Sequence, residues 1–168
     1  MEATTVPALK DMRLFAIFSL YDLHTDYFRR ALEGISDEDA HNRLGTKANH
    51  IAWIAGSTVE MRYVAARNLG LDVHQKADEL FKDFKGIQDD VKYPSLAQFL
   101  ADWDRISPLV REKTAEMDSA WLDEVKDMGG WKATNLEMIN FSTYREANMI
   151  GQIALWRRLL GYPAMSYM

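Results

Sequence analysis

The stretch TNLEMINFSTYREANMIGQIALWRRLLG, residues 134–161, decides the fold. Thr134 followed by Glu137 is a capping-box pattern. The hydroxyl and the carboxylate each take a backbone N–H that the first turn of a helix leaves without a partner. Apolar residues recur at helical spacing to Leu160, Gly161 stops the run, and Pro163 lies beyond it. One long helix is predicted, apolar on more than one side. Leu136, Ile139, Ala147, Ile150 and Ala154 lie on one side; Met138, Met149, Ile153, Trp156 and Leu160 lie on another. A helix apolar over so wide an arc is either central or part of a subunit interface. Gly151 in its middle costs about 1 kcal/mol relative to alanine, which close approach of a neighbouring helix would offset.

Working outward, three more amphipathic segments precede it. The first is expected from about Pro7 to Glu33, with Leu14, Ile17, Phe18, Tyr21, Phe28 and Leu32 as its stripe and Gly34 as its stop. Ser36 to Asp39 then opens a short capped piece. The second is expected from about Thr46 to Leu69, stopped by Gly70, with a length of roughly 36 Å at 1.5 Å per residue. It places Trp53, Ile54, Met61 and Val64 on one face, shared or bordered by His50, Ser57 and Glu60. A polar connection from Gly70 to Pro94 carries short helical turns around Ala77 to Phe84. A connection that long reads as a crossover rather than a tight hairpin. The third helix opens at Ser95-Leu96-Ala97-Gln98 and carries Leu96, Phe99, Leu100, Trp103, Ile106 and Val110. Pro108 is expected to kink or split it. Asp118 to Glu124 reads as another short capped piece, and Gly129-Gly130 as a break. No alternating strand pattern competes, so the class is all-α: four helices in one domain spanning residues 1–168, with one long crossover.

Composition bounds the function. Of 168 residues, 48% are hydrophobic and 27% charged, the profile of a soluble globular protein. Cysteine is absent, which excludes a disulfide scaffold, a thiolate metal site and a cysteine nucleophile. The net charge of −5 disfavours the nucleic-acid backbone as partner. The apolar run from Leu14 to Tyr21 reads as a core-facing helix rather than a secretory segment, and no membrane span is visible. A cytoplasmic protein is expected. No nucleophile elbow and no phosphate-cradling glycine loop is present.

Three segments carry a resemblance. Asn49-His50-Ile51-Ala52-Trp53-Ile54-Ala55-Gly56-Ser57 resembles the second-helix motif of the DinB/YfiT-like superfamily. Gly151-Gln152-Ile153-Ala154-Leu155-Trp156-Arg157-Arg158-Leu159-Leu160-Gly161-Tyr162 resembles its fourth-helix motif and tail, and Leu32-Glu33-Gly34-Ile35-Ser36-Asp37-Glu38 the end of its first helix. The resemblance spans nearly the whole chain. It implies an up-down-down-up four-helix bundle with a long crossover, often a homodimer. It also implies a divalent metal such as zinc or nickel on three histidines. Characterised relatives include thiol-dependent S-transferases and isomerases that use bacillithiol, mycothiol or glutathione.

The departure from that pattern is chemical. The second-helix ligand position holds Ser57, and the fourth-helix pair falls on Arg145 and Met149. The i, i+4 spacing keeps Arg145 and Met149 on one face, but Arg has no lone pair to offer and Met sulfur prefers soft metals. No metal is therefore expected, although a shifted set of His24, His50 and Glu60 is geometrically conceivable. His41 and His74 read as loop residues.

The candidate pocket comprises Ser57, Arg145 and Met149 with His50, Glu60, Trp53, Asn148 and Gln152. A buried guanidinium must be paired. Either Arg145 ties to Glu60 in place of the metal, or it holds a carboxylate or phosphate. The expected function is a non-catalytic or small-ligand-binding member with a degenerate metal site and an anionic ligand. One alternative is a thiol S-transferase or hydrolase-type enzyme, metal-dependent through substituted ligands or metal-free. Another is an interaction protein built on the last helix.

Overall fold

The computed structural model describes residues 9–168. In chain order it contains α1 (Leu14–Leu32), α2 (Asp37–Ala40), α3 (Ile51–Asn68) and α4 (Asp78–Phe81), which runs into a 3-10 turn (Lys82–Phe84). Then follow α5 (Leu96–Ala115), α6 (Ser119–Leu122), β1 (Val125–Asp127), β2 (Lys132–Thr134) and α7 (Asn135–Leu159). The architecture is mostly helical with one small sheet. Among the four long helices, α3 packs on α5 and α7, and α1 packs on the same two. Among the described residues, no helix is long and apolar enough to cross a membrane.

The central element is α3, which the wide apolar arc of α7 does not predict. Every residue from Ile51 to Glu60 is buried. Ala52, Ala55, Gly56 and Ser57 keep the helix thin, so neighbours come close. A Cβ on Gly56 would lie 2.1 Å from Phe81 Cζ and 2.7 Å from Phe99 Cζ. Gly151 is the opposite case: an added Cβ there meets nothing within 4 Å. The close approach expected at Gly151 is not made among the described residues.

Helix ends follow the local chemistry, with shifts. The Thr134–Glu137 capping box forms in both directions. Ser36, Ser95 and Asp118 each accept the expected N-terminal N–H. At the end of α3, Gly70 adopts φ +86°, so its N–H reaches Arg67 O and that of Leu71 reaches Ala66 O. These bonds satisfy the last carbonyls as a Schellman motif does.

α1 begins at Leu14, and the expected start at Pro7 lies outside the described residues. α3 begins at Ile51 rather than Thr46, because the Nδ1 of His50 takes the Trp53 N–H at 3.1 Å and acts as its cap. α5 runs unbroken across Pro108. The Gly129-Gly130 break is the turn of a hairpin in which Val125 pairs with Thr134 and Asp127 with Lys132. Its strands are three residues each and mostly exposed, too short to show alternation in the sequence.

Candidate functional site

A buried polar tie joins the four long helices. Arg62 of α3, 1% exposed, donates Nε to Glu146 Oε1 at 2.7 Å and Nη2 to Oε2 at 2.9 Å. Nη1 donates to Thr25 Oγ1 of α1 at 2.7 Å and to Ser107 Oγ of α5 at 2.6 Å. The remaining Nη2 hydrogen reaches Tyr21 O at 3.4 Å. All five guanidinium donors are used, which is what makes a buried arginine tolerable. The flat group lies between the rings of Trp103 and Tyr21, 3.5 and 3.9 Å from their centroids. Burial alone would raise the Glu146 pKa, but the charge and hydrogen bonds of Arg62 outweigh it and hold the carboxyl below its ordinary value. His24 Nδ1 stands 3.4 Å from Glu146 Oε2 without hydrogen-bond geometry. Burial pushes the Tyr21 phenol up.

Beside this tie a groove of about 830 Å³ opens between α1, α3, α5, α7, the α4 turn and the hairpin. Its walls are largely apolar and include Trp53, Met61, Phe81, Trp131, Met138 and Phe141. Ser57, Glu60, Arg145 and the inner pair Arg62–Glu146 supply polar groups.

Four arginines line the groove: Arg62, Arg67, Arg111 and Arg145. Three have carboxylate partners. Arg62 holds Glu146, Arg67 holds Glu60 at 2.5 Å, and Arg111 holds Asp22 at 2.7 Å. Glu60 also accepts from Gln75 Nε2 at 2.8 Å. Arg145, half-buried on α7, has no ion pair or hydrogen bond among the described residues. Two further donors on the wall are free. The indole N–H of Trp53 is buried and meets no acceptor, and the Ser57 hydroxyl makes no hydrogen bond among the described residues.

The structure thus brings Trp53, Ser57, Glu60 and Arg145 together on one groove. It does not bring in the other four expected residues. Met149 is packed in the main core. His50 is spent as the α3 cap, its ring 5.1 Å from that of His41. Burial, and next the neighbouring His41, lower its pKa to about 4. Asn148 and Gln152 bond to each other at 2.7 Å on the exposed side of α7.

The Arg145–Glu60 tie is not formed either. The tie exists instead as Arg62–Glu146, two positions along α3 from Glu60 and one along α7 from Arg145; each step of one residue turns a helix by about 100°. Sequence reasoning missed this pair. The available signal was two charged residues of opposite sign, Arg62 and Glu146, each inside a long helical segment.

Ser57, Arg145 and Met149, where the resemblance would put metal ligands, do not fit a divalent ion. A fixed cation, a neutral hydroxyl and a thioether in the core are not a ligand set for zinc or nickel. The shifted set is dispersed: His24 lies beside Glu146, His50 caps α3, and Glu60 is held by Arg67. Among the described residues, no group of three histidine or acidic side chains is placed to hold a metal.

No protein-family model matches the chain, and no curated protein matches it. Among solved structures, a conserved protein from Enterococcus faecalis is similar in fold. It has a TM-score of 0.70 and 14% sequence identity, over 87% of this chain and 95% of that one. A likeness at that identity concerns the fold alone.

Proposed function

We propose that this chain is a DinB/YfiT-like up-down-down-up four-helix bundle whose metal position has become a pocket for a small anionic ligand. In this reading it acts as a binding protein. The pairwise packing of four long helices supports the bundle. So does the long connection between α3 and α5. One observation carries the binding reading: of four arginines on a largely apolar groove, only Arg145 is without a carboxylate partner among the described residues. An unpaired guanidinium against apolar walls attracts an anion strongly, because little water competes for it.

The test uses 8-anilinonaphthalene-1-sulfonate, an apolar anion whose fluorescence rises on leaving water. One site per chain is expected, weakened about tenfold by Arg145→Met. Binding that Arg145→Met leaves untouched, or no binding at all, overturns the reading.

The homodimer implied by the resemblance belongs to the same proposal. Tyr144, Leu155 and Leu159 are 65%, 58% and 58% exposed on the outer side of α7. Gly151 lies in line with them at helical spacing, with open space before it. A helix of a second copy crossing at Gly151 would use that space.

A further inference from the structure

We infer that the groove's ligand is an apolar monocarboxylic acid, its carboxylate held by Arg145, Ser57 Oγ and Trp53 Nε1. This rests on the pocket reading above and gives it a ligand class. The three groups share one property: each is a hydrogen-bond donor lining the same groove that meets no acceptor among the described residues. Trp53 and Ser57 are one turn apart on α3, so their side chains share a face. Arg145 stands on α7, which packs against α3. A buried N–H without an acceptor is uncommon in a folded protein and calls for a partner from outside the chain.

The charge balance selects the headgroup. Glu60 and Glu146 also line the groove, and each is already neutralised by its own arginine. Arg145 is the one groove arginine without a carboxylate among the described residues, and a monoanion balances it. Lys85 and Asp83 also line the groove without an ion pair among the described residues, and they offset each other in sign. A phosphate dianion would bring a surplus negative charge beside the two glutamates. A carboxylate has two oxygens with about four lone-pair directions, enough for a guanidinium fork plus two neutral donors. The rest of the groove selects the tail. A headgroup occupies only a small part of 830 Å³, and the remaining wall is aromatic and aliphatic. Pockets of this size and character bury most of a ligand's surface.

Competition against 8-anilinonaphthalene-1-sulfonate tests this, with decanoate, decan-1-ol and inorganic phosphate as competitors at pH 7.5 and below micelle-forming concentrations. Decanoate is expected to displace the dye at least tenfold more effectively than decan-1-ol, and phosphate to displace none. Ser57→Ala removes one donor, and Trp53→Phe removes another together with part of the apolar wall. Each is expected to weaken decanoate by about ten- to hundredfold, the size of a lost hydrogen bond to a charged group. Decan-1-ol is expected to lose less than decanoate in each variant, and far-ultraviolet circular dichroism checks that the variants are folded. Equal displacement by the acid and the alcohol, or equal losses for both in the variants, overturns the carboxylate assignment while leaving the pocket. Displacement by phosphate alone overturns the apolar tail. If the dye itself does not bind, the pocket reading fails and this inference fails with it.

Discussion

Arg62 and Glu146 meet as a two-pronged pair, 2.7 and 2.9 Å apart, at the place where all four long helices converge. Neither group has another opposite charge of its own strength nearby, so each depends on the other. Removing one leaves an uncompensated buried charge, typically a loss of about 3–5 kcal/mol, whereas replacing both with apolar groups is often near neutral. Glu146→Leu and Arg62→Met are each expected to destabilise by about that amount. The double variant Arg62→Met/Glu146→Leu is expected to recover most of the loss. Urea unfolding of the four proteins gives the coupling. Additive losses would show that the pair does not act as a unit.

Gly56 has no room for a side chain. Its Cβ would overlap the ring of Phe81, and Phe99 stands behind it. Overpacking of this kind costs about 1–3 kcal/mol. Gly56→Ala is therefore expected to lower stability despite the better helix propensity of alanine. Adding Phe81→Leu should restore part of the loss by opening the contact. Thermal melts of the single and double variants check this; an unchanged or raised Tm in Gly56→Ala would contradict the packing.

What the sequence revealed depended on whether the signal was local. Thr134 and Glu137 lie three residues apart and satisfy one another, so the start of α7 was legible to the residue. The start of α3 was misplaced because the cap is His50, a side chain outside the usual Ser, Thr, Asp and Asn set. Trp53, Ser57 and Glu60 were legible as one face, since helical spacing alone aligns them. The partner of each charge was not. Helix phase places Arg145 and Glu146 about 100° apart, but only packing tells which enters the core. Arg157 makes the same point. It is buried with carbonyl partners only, donating to Arg30 O, Ala31 O and Pro163 O. It thereby closes the C-terminal end of α1 from a position 126 residues away from Ala31. No pattern within one helix reports such a contact.

His50 makes stability depend on pH. Its Nδ1 must stay unprotonated to accept the Trp53 N–H, and burial lowers its pKa from 6.5 to about 4. The folded chain therefore binds this proton more weakly than the unfolded chain. The stabilisation is complete above pH 6.5 and is lost as pH falls toward 4, by at most about 1.4 kcal/mol per unit. His50→Asn keeps a good cap without a titrating group. The wild type is expected to lose more stability than His50→Asn between pH 7 and pH 4.5, measured by urea unfolding at each pH. Parallel pH profiles would remove His50 as the cause.

Gly151 distinguishes a chain that stays single from one that pairs with a second copy. In the middle of α7 a glycine costs about 1 kcal/mol of helix propensity relative to alanine, and none of the described residues occupies the space in front of it. If the glycine serves no contact, Gly151→Ala is simply stabilising. If a second copy packs there, the added methyl holds the two helices apart, and the stripe of Tyr144, Leu155 and Leu159 no longer closes. The expected result is a split response. Gly151→Ala raises the Tm of dilute, monomeric protein, yet weakens self-association about tenfold in sedimentation equilibrium. Gly151→Glu, with a charge in the same place, abolishes association while far-ultraviolet circular dichroism remains that of the wild type. A wild type that stays monomeric up to 100 µM (a flag for roughly micromolar or tighter pairing being absent), or a Gly151→Glu variant that still associates, would mean that this face of α7 does not join two copies.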